Sequence, residues 1–170
     1  NTEAYAQKLM DRITVDDSRK AGEISFVTNL KDMNGNGSNK STMRINYTVA
    51  MPAGNPLKIK NEFGATIIPD FKGAVDIDSK FGKLITGNLL NVKELNVEFG
   101  KATFGNITGG DINIKYSNAT FGGLSGNIKL DLEFSNKVQV KLENNLSKLE
   151  VQANYSSVQL MPADDLSASY

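Results

Sequence analysis

The chain is dominated by a short motif, an aromatic residue followed by Gly or Ser, which recurs six times. The copies are Phe63-Gly64, Phe81-Gly82, Phe99-Gly100, Tyr116-Ser117, Phe134-Ser135 and Tyr155-Ser156. The aromatic residues follow one another at steps of 18, 18, 17, 18 and 21 residues. An internal repeat of this length is typical of proteins made of stacked units, because one unit alone cannot bury its apolar face.

In each copy, alternating apolar and polar residues precede the aromatic residue. The position four residues earlier is always Ile, Leu or Val, and the positions one and three residues earlier are polar. This alternation predicts a β-strand with one buried face. By the same parity, we expect the aromatic rings to form a column inside the protein. The alternative is an outward column that would serve as a platform for stacking carbohydrate.

The small residue after the ring is expected to shift the register at a bulge or bend, because the next apolar residues mostly lie three and five places on. Three copies are looser and carry the apolar residue four places on, at Ile67, Ile85 and Val138. Another apolar residue follows eight places after the ring. The slot ten places after the ring contains only residues that readily adopt positive φ, which predicts a left-handed corner there: Gly73, Asn91, Gly109, Gly126 and Asn144.

The residue immediately before the ring alternates in charge through five copies: Glu62, Lys80, Glu98, Lys115 and Glu133. Strands stacked in register lie about 4.8 Å apart, so this alternation predicts a ladder of acid–base pairs. Together these patterns predict an all-β fold. Residues 53–170 are expected to form a single-stranded β-helix, or β-solenoid, of about six coils.

Residues 1–52 are predicted to form a separate cap, joined to the repeats by the turn-forming stretch Pro52 to Pro56. The cap is expected to cover the open strand edge of the first coil. Its predicted elements, from periodicity and turn composition, are a helix over about residues 3 to 14, a strand from Glu23 to Leu30, a loop from Lys31 to Ser41 and a strand from Thr42 to Met51, the two strands forming a hairpin.

Composition removes several classes of function. The chain has 19 basic and 19 acidic residues, and it has no Cys and no His. A neutral chain without a block of like charge argues against nucleic acid as a partner. Without His or Cys, the usual nucleophile–base arrangements and the common zinc sites are excluded. No apolar run is long enough to be a transmembrane segment. Since the chain begins at Asn1, we expect a mature form or a piece of a longer polypeptide.

Two weak motifs were weighed, and no catalytic, cofactor or metal residue is assigned. Asp32 to Gly37 matches the first half of a calcium loop, but the twelfth position is Met43 instead of Glu, which favours a plain hairpin loop. Asp76 and Asp78 share one face of a predicted strand. Asp111 and Asp131 are expected near them after stacking. Paired carboxylates can hydrolyse glycosides, yet solvent-facing aspartates are the more economical interpretation.

Leu57 to Gly64, with copies such as Asp76 to Gly82 and Asn113 to Ser117, resembles the bacterial adhesin-type proteins with β-strand repeats of the Bacteroides group, which are related to the auto-transporter adhesin head GIN domain. The resemblance covers most of residues 40 to 160. It implies a β-helical fold and an exported, extracytoplasmic protein of the periplasm or cell surface, without supplying functional residues.

The expected function is a non-enzymatic, adhesin-like binding or scaffold surface for a protein or glycan ligand, because repeat solenoids present long faces to a partner. One alternative is a self-assembling scaffold that polymerises end to end through its coil edges. The other is a carbohydrate-active enzyme on a β-helix that uses the aspartates.

Overall fold

The computed structural model describes residues 3, 7, 10–20, 23–30 and 45–163. The chain forms two compact units, residues 1–47 and 48–170. In the first unit, strand β1 (Ile13–Lys20) pairs antiparallel with β2 (Glu23–Leu30), so that Ile13 lies opposite Leu30 and Lys20 opposite Glu23. The first unit is therefore built on a tight hairpin.

This hairpin differs from the predicted one. The strand from Glu23 to Leu30 is present, but it pairs with β1, in a region predicted to be the end of a helix and a polar linker. Residues 45–51 form no strand, and residues 31–44, with the Asp32 to Gly37 loop, lie outside the described residues. Alternation predicted the strand from Glu23 to Leu30 without identifying its partner, and over residues 45–51 it predicted a strand that does not form.

No continuous helix occurs among the described residues, so the predicted N-terminal helix is not supported. Three separate residues, Glu3, Gln7 and Met10, have helical backbone. The positions between them lie outside the described residues. The Asp11 amide donates a hydrogen bond to the Gln7 carbonyl at 2.9 Å. Ile13 and Thr14, the predicted last residues of the helix, belong to β1.

The second unit is a parallel β-solenoid of about six turns, as the repeat predicts. Seven strands form one sheet in sequence order, with β4 also pairing directly with β6. The strands are β3 (Leu57–Ile68), β4 (Val75–Thr86), β5 (Val92–Glu98), β6 (Lys101–Lys115), β7 (Asn118–Glu133), β8 (Lys137–Asn154) and β9 (Val158–Met161).

The pairing register is the sequence repeat itself. Ile59 lies opposite Ile77, Ile77 opposite Leu95, and Leu95 opposite Ile112, and every pairing is parallel. The longer last step is absorbed inside β8, where the register with β7 shifts between Leu142 and Lys148. Equivalent residues of successive copies therefore form columns that run along the solenoid.

The core consists of the apolar columns. The column four residues before each ring is fully buried in the central coils, and the column eight residues after it is also buried. The column three residues after the ring is half-buried at Thr66 and buried in the next three copies, whereas in the fifth copy one extra residue moves it to Val138. Ile67 and Ile85 point outward instead, and Ile67 is 72% exposed. Each buried Leu or Ile stabilises the fold by about 1.5–3 kcal/mol relative to an exposed one.

Candidate binding surface

The six aromatic residues of the repeat lie on the outside of the solenoid, not in its core. Their exposed fractions range from 42% at Phe134 to 81% at Tyr155. The expectation of an interior ring column is therefore wrong. The stacked aromatic pair that is inside the protein comes from another column: Phe104 and Phe121, with ring centroids 4.7 Å apart.

The backbone at each ring explains the reversal. All six aromatic residues have positive φ, between 48° and 70°. Parity along a strand holds only while every residue is extended. Phe81 follows the buried Ser79 by two residues and should point inward, but its φ of 51° turns the chain and directs the ring to solvent. The left-handed corner of each coil is thus the aromatic residue.

The rings form one continuous stack, which we call the aromatic ridge: Phe63, Phe81, Phe99, Tyr116, Phe134 and Tyr155. Neighbouring centroids are 4.9 to 5.3 Å apart, and the ring planes deviate from parallel by no more than 16°. Each contact contributes about 0.5–1.5 kcal/mol beyond area burial. This offsets the cost of about 1–2 kcal/mol for a non-glycine residue in the left-handed region.

The Gly or Ser after each ring allows the corners to stack closely. A Cβ on Gly82 would lie 2.0 Å from the Gly64 carbonyl oxygen, and one on Gly100 would lie 2.5 Å from that of Gly82. In the later copies a serine hydroxyl contributes hydrogen bonds. Ser135 Oγ accepts from the Ser117 amide at 3.2 Å and lies 3.0 Å from the Glu133 carbonyl oxygen, to which it donates.

Replacing Ser135 by Ala is expected to lower the free energy of unfolding by about 1–2 kcal/mol, because a buried amide then loses its acceptor. Ser135 is fully buried. Chemical denaturation followed by circular dichroism measures the loss. Ser157→Ala is the matched control, since the Ser157 side chain is exposed, and an equal loss in both variants would contradict this role for the hydroxyl.

The predicted corner ten residues after the ring is only partly present. Gly109 and Gly126 both have a φ of 70°, as predicted. Gly73, Asn91 and Asn144 do not have positive φ. At Gly73 a different constraint acts, because a Cβ there would lie 2.1 Å from the Asn55 carbonyl oxygen. Positive φ at Gly109 and Gly126 and close approach of backbone at Gly73 therefore explain the three glycines of this slot, and neither applies to Asn91 or Asn144.

The predicted charge ladder is present. Glu62, Lys80, Glu98, Lys115 and Glu133 are paired in successive coils. Ion pairs join Lys80 to Glu98 at 2.8 Å and Lys115 to Glu133 at 2.9 Å. The hydrogen bond to its carboxylate partner raises the pKa of each of these two lysines. Because solvent screens both pairs, each contributes little to stability.

The aromatic ridge separates two outward faces of opposite charge. The acidic face comprises the outward residues one, three and five places before each ring, with nine carboxylates against five lysines, a net charge of −4. The basic face comprises the first two outward columns of the strands that follow the ring, and these two columns contain three lysines and no carboxylate. One column contains Ala65, Lys83, Lys101, Asn118, Lys137 and Ser157, and the next contains Ile67, Ile85, Thr103, Thr120, Gln139 and Gln159.

The lysines of the basic face lack counter-charges within the described part of the chain. Lys83 lies directly opposite Lys101, and Asn118 separates Lys101 from Lys137. None of the three forms an ion pair with a described residue. Like charges opposite each other destabilise a sheet, so this column differs from the balanced column on the other side of the ridge.

A shallow, open groove of about 510 Å³ lies where the aromatic ridge meets the basic face. Its lining consists of ring edges, backbone and the two adjacent lysines: Phe81, Phe99, Tyr116, Gly82, Gly100, Lys83 and Lys101. The groove thus combines an apolar wall with two positive charges. It is suited to a ligand that carries both an apolar surface and anionic groups.

The four aspartates considered as a glycoside-hydrolysing group, Asp76, Asp78, Asp111 and Asp131, all lie on the acidic face, in two columns. In the first column Asp76 pairs with Glu94, and Glu94 with Asp111. The second column consists, in successive coils, of Asp78, Asn96, Asn113 and Asp131. Asp76 is already paired with Lys58 at 2.6 Å, and Asp131 with Lys129 at 2.9 Å. One oxygen each of Asp78 and Asp131 is buried without a hydrogen-bond partner. No group of three or more metal-ligating side chains is placed to hold an ion among the described residues.

The basic face was missed by the sequence analysis because its lysines are far apart in the chain. Lys83, Lys101 and Lys137 are separated by 18 and 36 residues and form no charged block. A signal was nevertheless available. Once the aromatic repeat is aligned, Lys83 and Lys101 occupy the same position, two residues after the ring.

Comparison with known proteins adds no family. No protein-family model, no curated protein and no solved structure matches this chain significantly. As for membranes, none of the described segments forms a helix that is both long and apolar enough to span one.

Proposed function

We propose that this protein is a non-enzymatic, adhesin-like binding protein, whose basic face and adjoining groove bind a linear acidic polysaccharide. The single observation that carries the proposal is the uncompensated lysine column beside the aromatic ridge. A stacked pair of like charges costs stability. A ligand that places carboxylate or sulfate groups over Lys83 and Lys101 removes that cost.

A polymer suits this surface better than a small anion. Coils of a solenoid recur about every 4.8 Å, so a chain lying along the axis meets the same side chains repeatedly. Lys137 is two coils beyond Lys101 in the same column. The neighbouring column presents Thr103, Thr120 and Gln139, which can hydrogen-bond sugar hydroxyls.

The geometry of the aromatic ridge indicates that a ligand contacts the edges of its rings and does not stack on their faces. Each of the four inner rings has a neighbouring ring stacked on both sides. Nucleobases bind single-strand readers by stacking on open ring faces, whereas an acidic glycan can also be held by charge-assisted and neutral hydrogen bonds to its carboxylate and hydroxyl groups. The ridge therefore serves as an apolar wall for the groove. This favours an acidic glycan over single-stranded nucleic acid.

The same proposal places the protein outside the cytoplasm, at the cell surface or in the periplasm. Its support is the resemblance of the repeats to bacterial adhesin-type proteins. The absence of enzymatic activity is also part of the proposal. It is supported by the lack of His and Cys in the chain and by the engagement of Asp76 in an ion pair.

The test is binding of fluorescently labelled polygalacturonate to the full chain, measured by anisotropy at increasing salt. We expect binding that weakens as salt screens the charges. The double variant Lys83→Glu/Lys101→Glu should lose at least about tenfold in affinity, equivalent to about 1.4 kcal/mol. Both side chains are exposed, so the variant should fold.

The matched control is Lys72→Glu/Lys93→Glu, which makes the same change of net charge away from the basic face at two exposed lysines that have no ion pair with a described residue. If both double variants lost the same affinity, binding would depend only on the net charge of the protein. The assignment of the basic face as the binding surface would then be wrong. Binding of single-stranded DNA as tight as that of polygalacturonate would overturn the glycan assignment. Neutral dextran should not bind.

A further inference from the structure

The two end coils of the solenoid are less well covered than the middle ones. In the column four residues before the ring, Ile77, Leu95, Ile112 and Leu130 are 0% exposed. Ile59 in the first coil and Val151 in the last are only half-buried, although they occupy the same column. Apolar side chains at the ends therefore lack the neighbouring coil that buries their equivalents inside.

The strand edges at the two ends are also open within the described sheet. β3 pairs only with β4, and β9 pairs only with β8. The N-terminal strands, which were predicted to belong to a cap over the first coil, form a two-stranded sheet of their own and do not extend the sheet of the solenoid. Since every pairing in this sheet is parallel, the free edge of the last coil offers the same hydrogen-bond pattern that each coil offers its successor. Such edges are ready templates for pairing with another chain, and repeat proteins normally cover them with polar capping units.

We propose that a second copy of this chain stacks on the first, head to tail, with its first coil lying on the last coil of its neighbour. This association is independent of the proposed glycan binding. It continues the ladder in register: Leu149 meets Leu57, Val151 meets Ile59, and Leu160 meets Ile68. These are the columns that are interior in the middle coils.

The outward columns are compatible with the same register. Glu150 of one copy lies over Lys58 of the next, so an acid meets a base, and Gln152 and Asn154 meet Lys60 and Glu62 without a like-charge pair. Tyr155 and Phe63, the most exposed rings of the aromatic ridge at 81% and 68%, then stack on each other. One continuous ridge results, which runs through both copies.

The test uses the absence of cysteine from the natural chain. In the proposed register, Cα atoms 58 and 150 of adjacent copies are about 4.8 Å apart, within the range of about 4.4–6.8 Å that a disulfide spans. The variants Lys58→Cys and Glu150→Cys, mixed and oxidised, should form disulfide-linked dimers. The double variant should form a ladder of oligomers on a non-reducing gel. Each single variant alone should run as a monomer on the same gel, because no second cysteine faces its own across the junction.

Sedimentation of the unmodified full chain should show a mean mass that rises with concentration. Ala153→Lys should abolish the rise, because it places a charge in the inward column of the last coil, where the first coil of the next copy would bury it. Asn91→Lys, at an exposed site in an inner coil and outside the basic face, should leave the association unchanged. A concentration-independent monomer would overturn the proposal, as would disulfide dimers formed equally well by either single variant alone.

Discussion

Replacing Phe104 by Ala is expected to lower the free energy of unfolding by about 3–5 kcal/mol, the usual cost of removing a buried aromatic side chain. Phe104 is 3% exposed, and its ring stacks on that of Phe121. Its column is interior, so the surrounding coils cannot collapse into the space without losing their register. Urea denaturation of both proteins, followed by circular dichroism, measures the difference.

Phe99→Ala is the informative comparison, because Phe99 belongs to the repeat motif but lies on the aromatic ridge. Its side chain is 45% exposed. Removing the ring eliminates two stacked contacts of about 0.5–1.5 kcal/mol each and should therefore cost about 1–3 kcal/mol. If Phe99→Ala proved as costly as Phe104→Ala, the ridge would have to be part of the core, and the assignment of inside and outside would be wrong.

The second large effect is expected from Gly82→Ala, with a loss of about 3 kcal/mol, the upper end of the usual cost of overpacking. The added carbon would lie 2.0 Å from the Gly64 carbonyl oxygen and 3.1 Å from the carbonyl carbon. Because these are backbone atoms, neither can rotate away. The two coils must separate at this corner, which weakens the hydrogen bonds and the ring contact beside it.

Gly54→Ala controls for the general effect of changing a glycine. A Cβ at Gly54 would meet no atom within 4 Å, and its φ is outside the left-handed region. This substitution should be neutral or slightly stabilising, because Ala restricts the unfolded chain. Thermal unfolding of the two variants should therefore diverge. A stable Gly82→Ala protein would show that the corners do not stack as closely as described.

The repeat made the coil length, the parallel stacking and most of the core predictable from sequence. Each step between aromatic residues equals the pairing register of the strand segments that immediately precede the rings, and the interior columns at four residues before and eight residues after the ring were identified correctly. The acid–base ladder was predictable for the same reason. These properties depend only on spacing, which a linear chain displays directly.

The direction of the rings and the N-terminal pairing could not be obtained in this way. Alternation predicts the side of a strand on which a residue lies only if the backbone stays extended. A Phe-Gly pair in the sequence does not indicate that the Phe itself adopts positive φ. Likewise, alternation from Glu23 to Leu30 predicts a strand but not that it pairs with Ile13–Lys20.

The sequence by itself therefore determined that this protein is a β-solenoid, how long its coils are and which apolar residues fill it, since these follow from periodicity. Only the tertiary structure decided that the aromatic column faces solvent and that Lys83, Lys101 and Lys137 form one basic column beside it. The physical reason is that surface charge and ring exposure arise from stacking. Stacking brings together residues that are a whole coil apart in the chain.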